Sequence, residues 1–86
     1  MSAVRNEEIR RIVKAYGRLP VDVDTLADDD DLFLAGMTSH ASVGVMLAIE
    51  NAFNLEFPDE LLTRGVFASV SSMDGALASL LGGRAA

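Results

Sequence analysis

Residues 34–43 read LAGMTSHASV and stand where a long connection gives way to the central helix of the chain. The connection, residues 17–38, contains Gly and Pro and is rich in Asp, which is typical of a loop. From Ser39 onward the residues are good helix formers, and Asn54 can end a helix in the left-handed conformation. The sequence therefore predicts one helix from Ser39 to about Phe53.

Two further long helices are predicted from the spacing of apolar residues. Near the N-terminus an apolar face at the spacing i, i+3, i+4, i+7 is formed by Ile9, Ile12, Val13 and Tyr16. Gly17 favours a stop after that helix. The C-terminal helix has a stripe formed by Met73, Leu77, Leu80 and Leu81, with Ser71 and Asp74 as a weak capping box and Gly82-Gly83 as its end.

A short helix is predicted between the second and third long helices. Pro58 suits its first position, and Gly65 favours its end. Together these elements predict an all-α fold, a small four-helix bundle of three long helices and one short helix. A long loop joins helices one and two.

The faces of the central helix are harder to assign, because no charged residue lies between Ser39 and Ile49. We expect its larger apolar residues to face the core, namely Val43, Met46, Leu47 and Phe53. The remaining surface would then hold Ala41, Val45, Ala48, Ile49 and Ala52. Such a helix is either buried on most sides or partly covered by another protein, and periodicity favours neither.

Composition limits the classes to which the chain can belong. At 86 residues, half of them hydrophobic, residues 1–86 are predicted to form a single domain and not a disordered chain. The absence of cysteine excludes disulfides and thiolate metal sites and fits a cytoplasmic protein. No apolar run reaches the length of a bilayer, so no membrane association is expected.

Charge is distributed unevenly along the chain. Residues 1–20 hold five basic residues and two acidic ones, whereas residues 21–60 hold ten acidic residues and no Lys or Arg. Because acidic residues repel phosphate backbones, nucleic acid is not expected as a partner. A protein with a basic patch would be attracted instead, although the same charge can serve solubility alone.

Side chains suited to catalysis are nearly absent. The one His, His40, follows Ser39 directly, and neighbouring side chains on a helix diverge by about 100°, so they make a poor nucleophile and base pair. We therefore assign no catalytic residue. The acidic run at 28–31 cannot be a calcium loop, because the positions that require Gly and Glu hold Phe33 and Ser39. We assign no metal site and interpret the run as a solvated loop.

Gly36, Met37 and Ser39 resemble the attachment motif of the acyl carrier protein family, with Thr38 at its usual Asp position and His40 at its usual Leu position. A second stretch, FNLEFPDE at 53–60, is similar to the family's F-x-I-x-I-P-D-E motif, and the resemblance covers nearly the whole chain. It implies a bundle of the acyl-carrier-protein type. It also implies that Ser39 carries 4'-phosphopantetheine, attached covalently from coenzyme A by a phosphopantetheinyl transferase.

Two physical features agree with this resemblance. A serine at a helix N-terminus is exposed, and the N–H groups and dipole there stabilise the negative charge of a phosphate ester. An ordinary N-cap is the alternative for Ser39, since serine is common at that position. The chain has no cysteine, so the thiol that a carrier needs would come from the arm.

Within the family, residues 24–28, 36–43 and 56–62 are most similar to the aminoacyl carrier proteins, a small bacterial branch. These are charged by amino acid:[carrier protein] ligases that resemble truncated seryl-tRNA synthetases. The resemblance implies glycine or alanine as a thioester cargo and a downstream acyl or aminoacyl acceptor enzyme. We expect partner contacts at Met37, Thr38, His40, Ala41, Val45 and Met46. We expect a monomer, since a carrier must leave one partner to visit the next.

Two other functions remain open at this point. A specialised acyl carrier for fatty or polyketide chains predicts an expandable apolar interior. An unmodified acidic interaction module would use the central helix only as a binding surface. Attachment at Ser39 distinguishes the module from both carriers, and the cargo distinguishes the carriers from each other.

Overall fold

The computed structural model describes residues 2–85. It contains the α-helices α1 (Ser2–Tyr16), α2 (Leu32–Ala35), α3 (Ser39–Phe53), α4 (Arg64–Phe67) and α5 (Val70–Ala85), with 3-10 turns at Val23–Thr25 and Asp59–Leu61. Over these residues there are three long helices and no strand, which confirms the predicted all-α fold. None of the described helices is both long enough and apolar enough to cross a bilayer.

Helix α1 lies against both α3 and α5 and forms one wall of the core. Its residues Ile9, Ile12 and Val13 are buried as predicted, whereas Tyr16 is 52% exposed. The helix ends where expected, and the Gly17 N–H donates to the Val13 carbonyl at 2.7 Å. Each fully buried aliphatic side chain of this kind stabilises the fold by about 1.5–3 kcal/mol.

Helix α3 has the predicted bounds, but the prediction of its core-facing stripe is wrong. Its buried residues are Ala41, Val45 and Ile49, at a spacing of four, whereas Val43 is 50% and Leu47 is 55% exposed. Met46 and Phe53 are half-buried and pack against the core. The physical reason is that this helix has apolar residues on every side. Which face is buried therefore depends on where α1 packs and not on the size of the side chains.

The C-terminal end of α3 is formed as the sequence predicts. Asn54 adopts the left-handed conformation, with φ 54° and ψ 53°, and its N–H donates to the Glu50 carbonyl. The Leu55 N–H donates to the same carbonyl at 3.0 Å, and the Leu55 side chain is buried. These are features of the turn that commonly ends a helix.

Helix α5 begins with a different capping pair from the predicted Ser71 and Asp74. The Ser72 N–H donates to Ser69 Oγ at 3.0 Å, and the Ser69 N–H donates to Ser72 Oγ at 3.1 Å. Asp74 instead accepts a 2.6 Å bond from Arg5 Nε on α1. The predicted stop at Gly82-Gly83 is also wrong, because α5 continues to Ala85; glycine weakens a helix by about 1 kcal/mol without preventing it.

The predicted short helix between Pro58 and Gly65 is replaced by a 3-10 turn and a separate short α-helix. Asp59–Leu61 forms a 3-10 turn, and α4 begins at Arg64, so that Gly65 lies inside a helix and does not end one. The break occurs because Thr63 is extended and caps α4, its Oγ1 accepting from the Val66 N–H at 3.3 Å.

The acidic connection between α1 and α3 is ordered by Arg10. This side chain donates to the carbonyls of Val23 and Leu26 at 2.9 and 2.8 Å and to the carboxylate of Asp28 at 2.6 Å. The hydrogen bond from Arg10, together with one from Asn6, lowers the pKa of Asp28 below its ordinary value. The acidic run is therefore partly structural and not only solvated.

Candidate functional site

The approach to Ser39 is built by α2 and the turn that follows it. Asp31 caps α2 by accepting from the Phe33 and Leu34 N–H groups. At the other end, the Gly36 N–H donates to the Phe33 carbonyl at 3.1 Å and the Met37 N–H donates to the Leu32 carbonyl at 2.9 Å. This is the Schellman pattern, in which the residue after the glycine packs on the last turn of the helix.

Gly36 is required in this turn for two reasons. Its φ of +125° is a conformation that L residues rarely adopt. A Cβ at this position would also lie 2.6 Å from Pro20 Cδ and 2.9 Å from Pro20 Cγ. The turn therefore brings the chain tightly past Pro20 and then buries Met37, which fixes where Ser39 emerges.

Ser39 is the first residue of α3, and it is not the capping residue. Thr38 is the N-cap, and its Oγ1 accepts from the Ala41 N–H at 3.0 Å. Ser39 is exposed, and its hydroxyl makes no hydrogen bond to another residue in the part of the chain that the structure describes. Because Thr38 satisfies the helix end, the Ser39 hydroxyl is left accessible for reaction.

A groove of about 320 Å³ lies beside Ser39. It runs between α3 and α4 and is lined by Phe33, Ser39, Ser42, Val43, Met46, Leu62, Thr63, Arg64 and Phe67. The Arg64 guanidinium carbon lies 3.9 Å from the centroid of the Phe33 ring, in cation–π geometry. The groove is thus mostly apolar, with one basic group on its wall.

The FNLEFPDE stretch supports this groove from below. Glu50 Oε2 accepts from the Phe57 N–H at 2.9 Å, which joins α3 to the segment that follows it. The buried rings of Phe57 and Phe67 meet edge to face, with centroids 5.3 Å apart. Glu50, the one acidic residue within α3, therefore has a structural contact.

The six residues expected to contact partners differ in their exposure to solvent. Thr38 and His40 are exposed beside Ser39, and Met46 is half-buried in the groove wall. Met37, Ala41 and Val45 are at most 4% exposed, so they lie in the core and not on the surface around Ser39. Ala41 and Val45 lie in the core because α1 packs against that face of α3. Met37 belongs to the same core from the turn before α3.

Sequence reasoning missed the apolar residues that are exposed near the site. These are Leu34 on α2, at 87% exposure, Val43 and Leu47 on α3, and Leu62 before α4. Periodicity gives no signal for Val43 and Leu47, because buried and exposed positions of α3 are equally apolar. Arg64 has a signal in the sequence, because it is the only Lys or Arg between positions 19 and 83.

Comparison with known proteins gives a consistent result. The family model for the phosphopantetheine attachment site matches residues 7–73. The aminoacyl carrier protein of Agrobacterium fabrum is 48% identical over 81 residues, which are 94% of this chain and 98% of that protein.

Two solved structures also match. One is a carrier protein from Agrobacterium tumefaciens, in a crystal structure with an engineered Bradyrhizobium japonicum glycine:[carrier protein] ligase and AMP. It has a TM-score of 0.82 and 50% identity, covering 84% of this chain and 96% of that one. The other comes from the complex of Bradyrhizobium japonicum glycine:[carrier protein] ligase with glycylated carrier protein, with a TM-score of 0.73 and 26% identity over 85% of this chain and 97% of that one.

The family model covers most of the chain, and the match to the aminoacyl carrier protein spans nearly the full length of both sequences. The cofactor expected from the sequence, 4'-phosphopantetheine, is the group for which this family is defined. The chain belongs to the family of phosphopantetheine-attachment carrier proteins and, within it, to the aminoacyl carrier proteins.

Proposed function

We propose that Ser39 is the attachment residue and that the chain carries an activated amino acid for partner enzymes. The observation that carries this proposal is the division of roles at the start of α3. Thr38 caps the helix, and the exposed Ser39 hydroxyl has no partner among the described residues. A serine that served only as an N-cap would have its hydroxyl bonded to a backbone N–H.

The residues around Ser39 fit a phosphopantetheine arm. The N-terminus of α3 favours a negatively charged ester on its first residue. The adjoining groove offers apolar walls at Val43, Met46 and Leu62 to the organic part of the arm. When bound, the arm supplies the thiol that forms a thioester with the cargo, a group that this cysteine-free chain does not contain.

The role of the chain is to hold and present, and not to break bonds. Its one His, His40, lies next to Ser39 on the helix and is exposed. Adjacent helical positions do not face each other, so no nucleophile and base pair is formed there. A tethered cargo gains in effective concentration at each partner, which is how such a carrier accelerates transfer.

We further propose glycine as the cargo and an amino acid:[carrier protein] ligase, of the kind that resembles a truncated seryl-tRNA synthetase, as the charging partner. The support is the glycylated carrier protein, 26% identical to this chain, that was solved with a glycine:[carrier protein] ligase, together with the relative at 50% identity that was solved with an engineered ligase of that kind. A phosphopantetheinyl transferase attaches the arm, and a downstream acceptor enzyme takes the amino acid.

The docking surface proposed for the ligase extends from Ser39 along the exposed side of α3. It consists of the exposed residues Thr38, His40, Val43, Leu47 and Leu62, with Met46 at its edge. Exposed apolar side chains grouped in this way are typical of a protein-binding site. No charged residue of α3 precedes Glu50, so apolar contact and not charge is expected to hold the ligase on this helix.

Attachment is tested by intact-protein mass spectrometry after incubation with coenzyme A and a broad-specificity phosphopantetheinyl transferase. The native chain should gain the mass of one phosphopantetheine, and Ser39→Ala should gain none. An equal gain in both proteins would place the arm elsewhere. No gain in the native protein with several transferases would leave an unmodified interaction module.

Cargo and docking are tested on the modified protein with a glycine:[carrier protein] ligase, ATP and glycine, alanine or a fatty acid. We expect charging by glycine. Val43→Asp should lower the charging rate at least about tenfold, because a charge placed in an apolar interface costs more than about 1.4 kcal/mol. Val4→Asp makes the same change at a 70% exposed position on α1 and is the control. Equal rates for both variants would contradict the docking surface.

A further inference from the structure

Arg64 occupies an unusual position for a basic residue in this chain. It is the only Lys or Arg between positions 19 and 83, and it lines the same groove as Ser39. Four basic side chains of α1 have carboxylate partners: Arg5 with Asp74, Arg10 with Asp28, Arg11 with Glu8 and Lys14 with Asp24. Arg64 makes no such pair within the residues that the structure describes.

The contact that Arg64 does make leaves its hydrogen-bond donors available. Its guanidinium carbon lies 3.9 Å from the centroid of the Phe33 ring, and its N–H groups make no hydrogen bond or ion pair among the residues that the structure describes. The N–H donors of a guanidinium lie in its plane and point away from a stacked ring. A guanidinium held in this way loses little further side-chain entropy when it binds an anion, and its bonds to phosphate are charge-assisted.

We propose that Arg64 binds the phosphodiester that joins the arm to Ser39, with Phe33 as the platform that holds the guanidinium in the groove. This inference rests on the proposed attachment at Ser39. Modification adds a negative charge to a chain whose formal net charge is already −6, and Arg64 is the basic group on the groove wall that can compensate it. The contact directs the start of the arm into the groove between α3 and α4.

A purely structural role for Arg64 makes a different prediction. The stack on Phe33 joins α2 to α4 whether or not Ser39 is modified, so its loss would destabilise the unmodified and modified proteins equally. A phosphodiester contact affects only the modified protein. The difference between the two forms therefore separates the two roles.

The test compares unmodified and modified protein for the native chain, Arg64→Gln and Arg11→Gln. The control removes the same charge from an α1 side chain that is 73% exposed. Two quantities are measured: the Nε–Hε cross-peak of Arg64 by NMR, and the midpoint of thermal unfolding at low and high salt. Mass spectrometry first establishes that each sample is fully modified.

We expect the Arg64 cross-peak to move when Ser39 is modified. We also expect modification to change the unfolding midpoint of the native chain more favourably than that of Arg64→Gln, by about 2–4 °C. High salt should reduce this difference, since a contact at the surface is screened. Arg11→Gln should keep the native difference. Phe33→Leu retains the charge of Arg64 but removes the ring that holds it, so this variant should keep only part of the change in midpoint on modification.

Each result has a defined meaning. If the native chain is not modified at Ser39, the proposed function fails before this test begins. If it is modified but the cross-peak does not move, and Arg64→Gln and Arg11→Gln give the same midpoint difference, the Arg64 inference is wrong and the attachment site stands. An equal loss in both forms of Arg64→Gln would assign Arg64 to structure alone. If Arg64→Gln does not fold, the native cross-peak still decides.

Discussion

Replacement of Gly36 by alanine should destabilise the protein more than almost any other change of a single methyl group. At φ +125° an L residue is strained by about 1–3 kcal/mol. The new Cβ would also lie 2.6 Å from Pro20 Cδ, so one of the two segments must move. Such overpacking costs about 1–3 kcal/mol. Together the two effects predict a loss of about 2–6 kcal/mol, a large part of the total stability of a domain.

The measurement is urea unfolding followed by far-UV circular dichroism, with the slope m checked for two-state behaviour. Gly75→Ala is the matched control, because a Cβ there meets nothing within 4 Å. Gly75 lies inside α5, where alanine should stabilise the helix by about 0.5–1 kcal/mol. The same chemical change should therefore act in opposite directions at the two glycines.

The Pro20→Ala variant separates the backbone strain at position 36 from the contact between the new Cβ and Pro20. In Pro20→Ala the ring atoms Cγ and Cδ are absent, so adding Gly36→Ala should cost only the backbone part, about 1–3 kcal/mol. A loss below about 0.5 kcal/mol for Gly36→Ala in the native background would refute the geometry of the turn. Where the protein still folds, modification at Ser39 should also be slower, because the turn fixes where that hydroxyl emerges.

Three further predictions concern the elements around the site. Thr38→Val removes the N-cap of α3 and should lower the free energy of unfolding by about 1 kcal/mol in the same urea assay. Glu50→Ala removes the carboxylate that accepts from the Phe57 N–H and should cost about 1–2 kcal/mol, whereas a solvent-facing role for Glu50 predicts no change. The pKa of Asp28 is lowered in the folded state by its hydrogen bond to Arg10. This stabilisation is present above the pKa that Asp28 has in the unfolded chain, and it is lost as the pH falls through the pKa of the folded state. Asp28→Asn should therefore lose less stability than the native chain on acidification below about pH 4. Identical profiles of unfolding free energy against pH for the two proteins would contradict the contact.

The limits of the sequence are clearest at α3. Its start at Ser39 and its end at Phe53 followed from local chemistry, and the left-handed Asn54 appears as predicted. The buried face was predicted wrongly, because Val43 and Val45 have the same side chain and opposite exposure. Nothing in the residues distinguishes them. Their difference comes from where α1 lies, which is a property of the packed fold.

Capping shows a similar division. Asp31, Thr38 and Thr63 each begin a helix with a side chain of a type that favours this position. The sequence predicts the pair at α5 two residues too late, because Ser69, Ser71 and Ser72 all suit a cap. Asp74 was unavailable, since tertiary contact pairs it with Arg5 across 69 residues of sequence.

The sequence by itself determined the all-α class, the ends of α3 and the family, because these depend on residues that are close together in the chain. The Gly-Met-Thr-Ser motif and the FNLEFPDE stretch could be read without knowing what packs against them. Only the tertiary structure decided which apolar residues face solvent and that Arg64 shares a groove with Ser39. Those facts depend on contacts between distant segments, for which local propensity carries no information.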